Sequence, residues 1–130
     1  FIASVELREP KLVVATWALC ADTDEEAERL STSSRMAFTL LRTTGKTIPV
    51  PPIDTALRFL EQPTGTLPLA RRRRMTLGTK EVVRAGLESV RTEYGAEEVM
   101  IVTITFSHEA RRRSYELIAE AFGITRPGSR

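Results

Sequence analysis

The chain has 130 residues, 42% of them hydrophobic and 28% charged, with seven glycines and seven prolines. That is the balance of an ordinary globular domain rather than a disordered or fibrous segment. Nineteen basic against 17 acidic residues leave a net charge of +2, which gives no global basis for binding nucleic acid or an anionic membrane. The lone cysteine, Cys20, cannot form an internal disulfide and fits a reducing cytoplasm. No apolar run approaches the roughly 18 residues of a membrane span, and Glu6, Arg8 and Glu9 rule out a signal peptide at the start.

The first predicted element is a strand over residues 11–20, a continuous apolar run opened by Pro10 and closed by Asp22. Absence of polar alternation marks a strand covered on both faces, as in a parallel sheet. A helix to about residue 43 follows. Thr23 with Glu26 fits a capping box, and Asp24 and Glu25 sit where the helix dipole favours anions. Ser31 to Ser34 weaken its middle. Residues 44–74 carry Gly45, Pro49, Pro51, Pro52, Pro63, Gly65 and Pro68 and read as an irregular insert, with room for one short helix over 53–61.

Order is expected to return at Met75. Residues 75–77 read as a short strand, Gly78 as a tight exit and Thr79 as an N-cap. Val83, Leu87, Val90 and Tyr94 then recur at helical spacing until Gly95. Residues 99–104 are expected to form the strongest strand. Ser107 caps a last helix whose buried face is Ser114, Leu117, Ile118, Ala121 and Phe122, and residues 124–130 read as a flexible tail.

The fold class is therefore α/β, with three consecutive βα units and parallel strands. Three such strands leave two raw edges and cannot close a barrel alone. Together with an opening Phe1 and no initiator Met, this suggests a single incomplete domain, the tail of a larger enzyme.

Residues 78–87, Gly-Thr-Lys-Glu-Val-Val-Arg-Ala-Gly-Leu, then 94–100, Tyr-Gly-Ala-Glu-Glu-Val-Met, and 107–117, Ser-His-Glu-Ala-Arg-Arg-Arg-Ser-Tyr-Glu-Leu, resemble the C-terminal end of the luciferase-like flavin-dependent monooxygenases. The run 11–20 followed by Ala-Asp-Thr-Asp-Glu-Glu-Ala is similar to that family's sixth strand and helix. The resemblance covers nearly the whole chain except residues 46–74. It implies a (βα)8 TIM barrel of which this chain is units six to eight, and an oxidoreductase that uses reduced flavin mononucleotide (FMN), or a deazaflavin, on a small organic substrate. Two residues depart from the family's usual Gly-Ser-Pro-Glu, since Thr79 and Lys80 follow Gly78 here. The family's main phosphate-binding motif and most of its flavin-ring positions would precede this chain.

Residues at the C-terminal ends of barrel strands face the active site. That nominates Trp17, Leu19 and Cys20, then Gly78 and Thr79, then Thr103, Thr105 and Phe106. Trp17 either walls a flavin pocket or packs in the core. Gly78 and Thr79 either bind a flavin phosphate through free backbone N–H groups or simply cap a helix. His108, the only histidine, lies beside Glu109 without a nucleophile nearby, and Cys20 has no activating partner in view. Arg71–Arg74 reads as a solvated run without interleaved aromatics, so base stacking has no support. Arg112 and Glu116 are spaced to pair on a helix. A single His and a single Cys do not assemble the usual nitrogen and sulfur metal ligands. Two functional readings remain: the C-terminal portion of a flavin monooxygenase, inactive by itself, or a non-catalytic module that completes its sheet with another chain, whether the rest of a barrel or a second copy.

Overall fold

Eight residues of the first apolar run form strand β1 (Val13–Cys20) in the computed structural model, which describes residues 9–62 and 75–124. The capping pattern then starts helix α1 (Asp24–Thr44), where the Thr23 hydroxyl accepts from the Glu26 N–H at 3.1 Å. Gly45 ends it in the left-handed conformation, φ 71°. A short helix α2 (Ile53–Leu60) occupies the proline-rich region, followed by β2 (Met75–Gly78), α3 (Lys80–Tyr94), β3 (Glu98–Val102) and α4 (His108–Ala121). The Arg71–Arg74 run and residues 125–130 of the expected tail lie outside the described residues.

All strand pairings are parallel, and the sheet order is β2-β1-β3. Three successive staves of a barrel would lie in chain order, each beside the next. Here β1 sits in the centre, so β2 is not the stave between β1 and β3. The registers add to this. Val13–Trp17 pairs with Glu98–Val102 along one edge, whereas only Trp17–Cys20 pairs with Met75–Gly78 along the other.

Alternation along the strands sorts side chains onto two faces. Ala18 and Cys20, with Val99 and Ile101, pack against Val83 and Leu87 of α3 and Leu117 and Ile118 of α4. Arg84 ties those helices together by donating to the Ala121 carbonyl at 2.7 Å while lying over the Phe122 ring. On the opposite face Leu19 and Leu77 meet Ala27 and Leu30 of α1 and Ile53 of α2. That cover reaches only the C-terminal end of the sheet. Val13 and Met100 stand 45% and 58% exposed, so the expectation of a strand buried on both faces holds only for the last part of β1.

Three further expectations are corrected. The β3 strand stops at Val102 because Thr103 turns its polar groups elsewhere. Its N–H donates to the Tyr115 hydroxyl at 3.0 Å, and its own hydroxyl donates to the Ala18 carbonyl at 2.6 Å. Ser31 to Ser34 do not weaken α1; they are its buried contact surface. Small side chains permit close packing there, and the hydroxyls of Ser31, Thr32 and Ser34 donate to carbonyls three residues back. Tyr94 is exposed rather than part of the buried face of α3.

Ser114, fully buried on α4, accepts a hydrogen bond from the Cys20 N–H at 2.9 Å. Ser114→Ala strands that donor in the core, so we expect a loss of about 1–3 kcal/mol in chemical denaturation, with helical content unchanged by circular dichroism.

Candidate functional site

The C-terminal ends of the three strands converge with the N-termini of α1, α3 and α4. Chain direction alone brings the loops after β1, β2 and β3 to one side of a parallel sheet. Between the first two, the Ala21 N–H donates to the Gly78 carbonyl at 3.0 Å, carrying the β1–β2 ladder one step past the strands.

Gly78 and Thr79 occupy the start of α3 as expected, but the anion position is filled from within the chain. The Asp24 carboxylate accepts from the Thr79 N–H at 2.9 Å. Thr79 makes no capping bond with its own side chain, so Asp24 supplies the cap from 55 residues away. The same oxygen explains the glycine. A Cβ at Gly78 would stand 2.7 Å from Asp24 Oδ1, and its φ of 144° is one that other residues rarely adopt. A phosphate placed here would meet a carboxylate already holding the amide. Gly78 and Thr79 therefore do not fit a flavin-phosphate cradle in this arrangement.

Trp17 lies lower on the sheet, three residues before Cys20, a separation of about 10 Å along the strand. It is half-buried and stacked on Phe38 of α1, with ring centroids 4.4 Å apart and an interplanar angle of 24°. By strand alternation Trp17 shares its face with Leu19, whereas Gly78 pairs with Cys20 and belongs to the other face. The structure thus does not bring Trp17 and Gly78–Thr79 into one pocket. Trp17 fits a flat apolar wall, with Phe38 behind it.

The remaining nominees divide between buried and exposed positions. Thr103 and Thr105 are buried, and the Thr105 hydroxyl donates to the Leu30 carbonyl at 3.0 Å, joining the end of β3 to α1. Phe106 is exposed. His108 is exposed at the first turn of α4, with Nδ1 3.1 Å from the Arg111 guanidinium. Glu116 pairs with Arg113, not with Arg112 as the spacing suggested. Arg113 also meets Asp22 at 2.9 Å, linking the loop after β1 to α4. An open hollow of about 460 Å³, lined by Glu88, Arg91, Thr92, Gly95 and Ala96, lies at the opposite end of the strands, where α3 gives way to β3. Among the described residues no helix is long and apolar enough to cross a membrane, and no cluster of His, Cys, Asp or Glu has the makings of a metal site.

Burial raises the Cys20 thiol to about 11, with Asp22 and Glu81 adding to the rise. It is protonated at neutral pH and sealed in the core, the opposite of an activated nucleophile.

Sequence reading put Ser114 on the buried face of the last helix but not against the Cys20 amide, and it did not foresee Asp24, Phe38 and Tyr115 as residues that build this end of the molecule. Asp24 did carry a signal, a carboxylate in the first turn of α1, but nothing local pointed to an amide 55 residues on.

No family model matches the chain. It is 40% identical over 117 residues to YwcH, an uncharacterised protein of Bacillus subtilis, covering 87% of this chain and 34% of that protein. It is 35% identical over 118 residues to a luciferase-like monooxygenase of Escherichia coli K12, covering 90% of this chain and 35% of that protein. Among solved structures it resembles apo-MsnO8 with a TM-score of 0.84 and 31% identity, over 98% of this chain and 39% of that one. The chain thus spans about a third of the length of the curated relatives it matches. These likenesses support a relationship to proteins named luciferase-like monooxygenase.

Two expectations follow from the geometry. Asp24→Ala should cost about 1 kcal/mol, the usual effect of losing a helix cap, and hydrogen exchange should accelerate at the Thr79 amide. Because the folded thiol titrates above its unfolded value of 9.0, the stability it confers is fully present below pH 9 and is lost as pH rises toward 11. Denaturation midpoints across that range should therefore fall more steeply for the native sequence than for Cys20→Ala.

Proposed function

We propose that this chain is the C-terminal portion of a flavin-dependent, luciferase-like monooxygenase whose whole polypeptide oxidises a small organic substrate with reduced flavin and oxygen. The observation that carries the reading is the joint likeness in sequence and fold: 35% identity to a protein named luciferase-like monooxygenase, and a TM-score of 0.84 to apo-MsnO8 over 98% of the chain. FMN is the cofactor the resemblance favours, with a deazaflavin as the variant. The oxidative chemistry belongs to the flavin; the protein contributes binding, orientation and a dry pocket.

Within that reading Trp17 is the residue of this chain best placed to shape a pocket. It projects from the C-terminal half of the central strand, and its stacking on Phe38 holds the ring in one orientation, so a planar ligand would meet a preset apolar surface. Gly78 and Thr79 serve instead to position the loops, with Asp24 as their anchor. The resemblance puts the main phosphate-binding motif in the part of the relatives that this chain does not span. The isolated chain is accordingly catalytically incompetent.

Titration of this chain with FMN, followed by flavin fluorescence and by NADH-coupled oxygen consumption with a flavin reductase, tests the proposal. We expect no saturable binding at micromolar concentrations and no turnover. Stoichiometric tight binding with oxygen uptake above the reductase background would overturn the incompetence of the isolated chain.

A further inference from the structure

We draw no further inference here: the strongest candidate, the open hollow of about 460 Å³ where α3 gives way to β3, is lined by the exposed side chains of Glu88, Arg91 and Thr92, and nothing in the structure shows what covers it.

Discussion

A parallel strand needs cover on both faces, and β1 receives it only over its last three residues, Ala18, Leu19 and Cys20, each no more than 2% exposed. That strand is the only one bonded along both edges among the described residues, so each layer of the molecule takes its position from it. Below Trp17 the same strand has helices behind it and solvent in front. The gradient along a single element, from open to sealed, organises the chain more than any residue taken alone.

At the sealed end the sheet is held by hydroxyl groups as much as by hydrophobic contact. Ser114 receives the Cys20 amide, Thr103 reaches the Ala18 carbonyl, Tyr115 receives the Thr103 amide and Thr105 reaches the Leu30 carbonyl. The first three satisfy backbone groups left without a ladder partner where β3 ends, and the fourth adds a second bond to a carbonyl inside α1. They also explain why β3 is short. Thr103 exchanges the ladder for side-chain partners, and the backbone leaves the sheet in order to begin α4. The surface ion pairs, such as Lys11–Glu98, add little by comparison, since exposed pairs are worth at most about 1 kcal/mol.

The elements were legible because local signals agreed with the fold: the capping pattern at Thr23, left-handed glycines at Gly45 and Gly95, and helical spacing of Val83, Leu87 and Val90 against a hydroxyl-bearing α4. Strand order was not legible. Three βα units in sequence give the same periodicity whether their strands lie in chain order or with the first in the middle, and the difference lies in long-range pairing such as Val13 with Glu98. Ser31 to Ser34 misled for a related reason. Propensity scores them as helix-weakening, while their small size is what a close helix contact requires, and only the neighbouring layer decides between the two. At the candidate site Trp17 was legible as a residue of the first strand, though it sits three positions short of the strand end, and the filling of the Gly78–Thr79 amide position by Asp24 depends on a contact that no window of sequence contains.

One carboxylate at the junction of two loops has a mechanical meaning. Asp24 belongs to the first turn of α1, and the amide it holds opens α3. The two helix starts are therefore tied by a single hydrogen bond, and separating them would release a bare amide into the gap. The loop after β1 and the loop after β2 are thereby joined through one side-chain contact 2.9 Å long.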